Sequence, residues 1–201
     1  MKLFLALCCW LLASFSIAQN DKITLKQVSC PEKWWAIKHL FVLKKAKQVT
    51  LETRQVVEQL KKEQLLKGNG NGQQLDAFRH TYWMLRLSQE IGAKKARRLG
   101  KAHEKGNYKA FKKNKKEDGE IPDKISSDMD LFNNEIGIAI ADTLTSTNVK
   151  KVVISVVQSG KCKIIKKDQQ GNYLTCSGSI IQREELIGKW KNDKCLVNSN
   201  F

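Results

Sequence analysis

Asp76-Ala77-Phe78-Arg79-His80-Thr81-Tyr82-Trp83 is the stretch whose reading decides the fold. Read as helix, it stacks Asp76, His80 and Trp83 on one face with Arg79 at its edge, because side chains three, four and seven positions apart share a helix surface. Leu87 and Ile91 continue the stripe as an apolar one, so the face packs inward. An acid, a guanidinium and an imidazole at the head of an inward stripe are costly to bury without partners. The stretch predicts a packed helical protein with a polar site inside it.

Working outward, Gly68-Asn69-Gly70-Asn71-Gly72 is a clear break before this helix. Upstream, Pro31-Glu32 starts a helix, and Trp34 to Lys47 is amphipathic, with Trp34, Ile37, Phe41 and Lys44 along one side. Thr50 is the expected cap of a second helix reaching about Leu66. Downstream, Gly92 interrupts and Ala93 to His103 makes a further helical segment. Glu104 to Ser127 is polar and lysine-rich with Gly106, Gly119 and Pro122, which reads as a long surface loop. Ser127 or Asp128 then caps a helix from about Met129 to Thr143. It is apolar nearly all round, as central helices are. The exception is the stripe Asp130, Asn134, Gly137 and Ala141, with Asn133 beside it; the two small residues admit close approach of another backbone. Two valine pairs four residues apart make Val149 to Gln158 a helix, ended by Gly160.

The fold class is therefore mainly α: a compact helical bundle over residues 19–160. Residues 161–201 form a small cysteine-containing appendage, a disulfide-stapled β-hairpin or irregular structure. Residues 1–18 read as a signal peptide, with Lys2 before an apolar run and Ser16-Ile17-Ala18 meeting the small-x-small rule. The expectation is an exported protein, periplasmic or secreted, with no membrane span in the mature chain. Six cysteines are present, and removal of the leader leaves Cys30, Cys162, Cys176 and Cys195. An even set in an exported chain points to two disulfides. Cys162 and Cys176 flank a hairpin-like turn at Gln169 to Asn172, which favours pairing them with each other and Cys30 with Cys195. No C-x-x-C pair supports a zinc site.

The formal charge is +16. An excess of this size favours anionic partners, such as an envelope polymer or a phosphate-containing substrate. Most of it is lysine spread over several segments. No arginine cluster or aromatic-interleaved basic strand marks a nucleic-acid module, so nucleic acid is not favoured.

Three polar clusters remain: Asp76/Arg79/His80, His103/Glu104 and Asp130/Asn133/Asn134. Asp76 to Trp83, then Ala102-His103-Glu104, then Met129 to Gly137 resembles an uncharacterised bacterial domain of unknown function. Its pattern is D-A-[FY]-R-H-x-x-W, A-H-E and M-D-x-x-N-N-x-x-G in that order, and it recurs in exported, wall-associated and polymorphic-toxin-like proteins. The resemblance spans roughly residues 73–145. It implies a mostly helical domain and marks Asp76, Arg79, His80, Trp83, His103, Glu104, Asp130, Asn133, Asn134 and Gly137 as its signature, without supplying an activity.

The residues themselves suggest a cell-envelope hydrolase. His80 serves as base or nucleophile, oriented by Asp76 or Asp130. Arg79 holds an anionic group. His103 and Glu104 supply a second proton-transfer group, and Asn133 or Asn134 donates to developing negative charge. A metal-assisted version would use His80, His103, Glu104 and Asp130 as ligands of a divalent ion. It is less favoured, because adjacent residues on a helix point about 100° apart. The alternative of another class is a secreted binding or structural module whose clusters are a buried network registering the helices, with Trp83 as core packing.

Overall fold

The structure, a computed structural model, describes residues 28–68, 70–116, 119–144 and 148–201. The signal peptide expected over residues 1–18 lies outside the described residues. Helix α1 (Cys30–Lys38) begins with a reciprocal cap: Ser29 Oγ accepts from the Glu32 amide, and Glu32 Oε2 accepts from the Ser29 amide at 2.8 Å. It ends at His39, which leaves helical geometry (φ −133°) while its Nδ1 lies 2.7 Å from the Trp35 carbonyl. Helix α2 (Leu40–Glu63) then runs uninterrupted through Thr50. The break expected at Thr50 is thus at His39. Thr50 Oγ1 donates back to the Ala46 carbonyl at 2.9 Å, a bond that lets threonine sit inside a helix.

Helix α3 (Gln74–Ile91), which carries the Asp76–Trp83 stretch, is the central one. It packs against α2, α4 (Ala93–Phe111), α5 (Lys124–Ala141), α6 (Val149–Gln158) and strand β1 (Lys163–Ile165). One flank joins Leu75, Phe78, Tyr82 and Leu85 to Leu60, Val153, Val157, Cys162 and Ile164. The other joins Met84, Leu87 and Ile91 to Trp35, Ala46, Val49, Ala96 and Leu99. Burying each large side chain here stabilises by roughly 1.5–3 kcal/mol. By contrast α5, expected to be central, leaves Phe132 and Ala139 exposed and buries its polar stripe instead. At Gly137 a Cβ would stand 2.2 Å from the Thr81 carbonyl oxygen and 3.0 Å from the Leu85 nitrogen, so α5 lies directly on the backbone of α3.

Two further boundaries differ from expectation. Helix α4 continues past His103 to Phe111, because Glu104, Gly106 and Asn107 face inward rather than into a loop. Gly106 is a contact, not a breaker: a Cβ there would meet Ser29 Oγ at 2.5 Å. Helix α5 starts at Lys124, capped by Asp123, whose Oδ1 accepts from the Ser126 amide at 2.8 Å.

In the tail, β1 pairs antiparallel with β2 (Leu196–Asn198), Ile164 opposite Val197. These strands close the tail on itself and are not the two arms of one hairpin. Between them Asp168 Oδ1 caps a tight turn by accepting from Gln170 and Asn172 amides, and a short helix α7 covers Arg183–Leu186. The disulfide joins Cys176 to Cys195. This corrects the expected Cys162–Cys176 and Cys30–Cys195 pairs: Cys162 is buried at the foot of β1 with its Sγ 3.3 Å from Thr81 Oγ1, and Cys30 is exposed at the start of α1. Burial pushes the Cys162 thiol pKa up. No described helix is long and apolar enough to cross a membrane.

Candidate functional site

The α3–α5 crossing brings the first and third polar clusters together. His80, 2% exposed, projects from α3 towards α5. Its Nδ1 lies 3.3 Å from Asn134 Oδ1, so this nitrogen carries a proton and donates it. Its Nε2 lies 3.3 Å from Asp130 Oδ1 and 3.6 Å from Asp76 Oδ1. Asp76 is held on three sides: Oδ2 accepts from the Gly72 amide at 2.8 Å, and Oδ1 accepts from Arg79 Nε and Nη2 at 3.0 and 2.6 Å. Gly72 has φ +70°, a left-handed conformation that glycine adopts without strain. The glycine-asparagine break thus delivers an amide to the first turn of α3.

A cavity of about 50 Å³ opens beside this cluster. Asp76, Arg79, His103 and Asp130 line it, with Asn107 and Asp123. Arg79 is 30% exposed at its side chain and reaches solvent. His80 stands behind the wall, not in it. His103 Nδ1 is 3.1 Å from Glu32 Oε1, and its ring meets Trp83 edge-on at 5.7 Å and His80 at 6.3 Å. Burial works to raise the Glu32 pKa, but His103 and the Ser29 hydrogen bonds outweigh it and bring the carboxyl down to about 2.

The remaining expected residues divide. Asn134 joins the cluster. Asn133 does not: its amide accepts from the Lys163 N–H and donates to the Lys163 carbonyl, pinning β1 to α5. Glu104 is buried and accepts from Asn107 Nδ2 at 3.1 Å, so Asn107 stands between it and the cavity edge. Trp83 Nε1 donates to Thr50 Oγ1, which fits a packing role. Among the described residues, the donor atoms brought together in a way that suits a divalent ion are those of Asp76, His80 and Asp130, within 4.8 Å of one another. His103 and Glu104 are not in that group. Arg79 Nη2 lies 2.6 Å from Asp76 Oδ1 and 3.2 Å from His80 Nε2. The guanidinium therefore already sits where an ion's charge would be placed.

The far wall of the cavity comes from Asp123, Tyr173 and Lys194, none of them among the expected site residues. Lys194 Nζ donates to Asp123 Oδ2 at 2.7 Å, both side chains 6% exposed, and lies 3.7 Å from the centre of the Tyr173 ring. Burial opposes the Asp123 charge, but Lys194, Ser126 and Asn192 hold its pKa below the usual carboxylate range. Tyr173 donates to Glu120 Oε2 at 2.5 Å, and burial together with that acceptor pushes the phenol pKa well up. Lys167 covers the same ring at 4.4 Å; burial and Lys194 lower its pKa against the pull of Glu120 and Asp76. Asp123 carried a signal, since Asp followed three positions later by Ser reads as a cap. Tyr173 and Lys194 arrive from the tail and carried none.

Fold and site together define a helical domain built around a buried carboxylate–imidazole–guanidinium cluster beside a small cavity. The chain belongs to the family described as a domain of unknown function (DUF6973), which it matches over residues 33–163. Comparison with curated proteins and with solved structures finds no match.

Proposed function

We propose that the protein is an exported hydrolase acting on an anionic polymer of the cell envelope, with Asp130 as the group that exchanges protons with the substrate. The observation that carries this reading is the pair Asp130–His80: a carboxylate facing the cavity, backed 3.3 Å away by a buried imidazole fixed by Asn134. With Nδ1 bonded to Asn134, His80 Nε2 faces Arg79 and Asp130 as an acceptor, so it can take on the proton that Asp130 gains from water and return it, letting Asp130 alternate between base and acid at the cavity wall. The roles of base and relay are thereby exchanged relative to a reading in which His80 meets substrate directly.

Asp130 takes a proton from the attacking water, His103 gives one to the departing group, and Arg79 holds an anionic oxygen of the substrate. Asp76 positions Arg79. The cavity admits one small group, so a polymer would lie across the mouth and insert only the reacting linkage. The Cys176–Cys195 disulfide supports an oxidising compartment, and with it export.

The test is product release from purified peptidoglycan and from a glycerol-phosphate polymer, followed by mass spectrometry. Asp130→Asn and His80→Gln are expected to lower release by about 10²-fold or more at unchanged circular dichroism. Release that neither substitution affects, or none from either polymer, overturns the assignment.

One observation favours the non-catalytic reading, a binding or structural module with a helix-registering network: Asp76 is saturated by Gly72 and Arg79. Under it, Asp130→Asn and His80→Gln lower the melting temperature and change no turnover.

A further inference from the structure

We propose that the corner where α1 meets α2 is a docking surface for an anionic lipid membrane. The two helices expose Trp34, Ile37, Leu40 and Phe41 there; Phe41 is fully exposed and Leu40 is 66% exposed. Large apolar side chains gathered on a monomer surface mark an interaction site. Here the inward anchor is separate from them. Trp35 is buried, with its indole N–H donated to the Lys95 carbonyl at 3.2 Å, and Ala46 and Val49 are buried on α2. The corner is therefore held in place while its outer side chains stay exposed among the described residues.

Charge identifies the occupant. Residues 33–48 contain five lysines (Lys33, Lys38, Lys44, Lys45 and Lys47) and no acid. Lys45 pairs with Glu90 at 3.5 Å; the other four are exposed around the apolar side chains. The acid that precedes them in sequence, Glu32, is engaged with His103 and Ser29. Aromatic and aliphatic tips among lysines are what a headgroup region receives: the rings enter the acyl boundary and the ammonium groups meet phosphates. Each lysine brought to an anionic surface strengthens binding roughly fivefold. A second copy would set lysine-rich faces against each other. The apolar run from Leu3 to Ile17 carries no charge to answer the lysines.

The test uses the full chain and flotation with large vesicles, either pure phosphatidylcholine or phosphatidylcholine with about one third phosphatidylglycerol. The protein is expected to float with the anionic vesicles at least tenfold more strongly than with the neutral ones, and to weaken as salt rises and shortens the screening length. Trp34→Glu with Phe41→Glu, and separately Lys38→Glu with Lys44→Glu, each lower the partition at least tenfold; both pairs are exposed, so melting stays unchanged. Equal binding to both vesicle types overturns the proposal. So does wild-type binding by both double variants, which would assign the affinity to residues 1–27 or to lysines elsewhere. A dimer that Trp34→Glu with Phe41→Glu splits, without vesicle binding, assigns the corner to self-association and overturns it as well.

Discussion

Replacing Gly137 by alanine tests the crossing on which the site depends. The new methyl would stand 2.2 Å from the Thr81 carbonyl oxygen and 3.0 Å from the Leu85 nitrogen. Carbon and oxygen need about 3.3 Å, and both obstacles are backbone inside a regular helix, so neither can turn aside. Helix α5 must retreat by about 1 Å. That moves Asn134 and Asp130 away from His80, stretching two contacts of 3.3 Å beyond hydrogen-bond range. Overpacking of this kind costs about 3 kcal/mol, while alanine in place of glycine returns about 1 kcal/mol of helix propensity. The net loss is about 2 kcal/mol, or roughly 4–8 °C in melting temperature for a chain of this size. Thermal unfolding followed by circular dichroism measures it. Gly100→Ala is the control: its nearest neighbours are side-chain atoms, Asn134 Nδ2 at 3.0 Å and the flexible end of Met84 at 3.4 Å, so it is expected within about 1 kcal/mol of the parent. A Gly137→Ala protein that melts at or above the parent would show that propensity alone is felt there, and the α3–α5 contact and the His80–Asp130 pairing would fall together.

Other perturbations reach other parts of the molecule. Glu32 is held at about 2 when folded, below its unfolded value of about 4.3. Its pairing with His103 therefore stabilises above that unfolded value and is lost as pH falls towards 2. In urea unfolding, the advantage of the parent over Glu32→Gln is expected to shrink from up to about 3 kcal/mol as pH drops from about 5 to about 2; a gap that does not change with pH refutes this. Asp123→Asn leaves the buried Lys194 ammonium without its carboxylate and should cost about 3–5 kcal/mol in thermal unfolding, with faster proteolysis of the tail. Alkylation of native protein is expected to label Cys30 at once, Cys162 only after denaturation, and Cys176 and Cys195 only after reduction, as read by peptide mapping.

The parts of this molecule legible from sequence are those set by local pattern. Asp76 to Ile91 has helical spacing, a glycine-rich entry and Gly92 at its end, and it forms a helix with those limits. The valine pairs place α6, and Gly137 on a polar stripe foretold the close crossing. Reading failed where a residue has two uses. Thr50 looks like a cap but satisfies its hydroxyl within α2. Gly106 looks like a break but makes room for Ser29, which is why His103 and Glu104 lie inside a helix and not at its edge. Asn133 and Asn134 are adjacent in sequence and face different partners, β1 and His80. The disulfide was misassigned because turn position says little about depth, and Cys162 is drawn into the core by its neighbours Ile164 and Ile165. The far wall of the cavity depends on contacts across most of the chain, which no local spacing encodes.

The floor and roof of the cavity belong to different stretches of chain. Asp76, Arg79, His80, His103 and Asp130 fall within residues 33–163, the span shared with the family, whereas Ile165, Tyr173 and Lys194 lie beyond it. These tail residues form one wall of the cavity and keep bulk water, in which charges attract only weakly, from that side of the carboxylates. The tail therefore acts as a dielectric shutter, and the Cys176–Cys195 bond, bracketing Lys194 on one side and following Tyr173 on the other, is its latch.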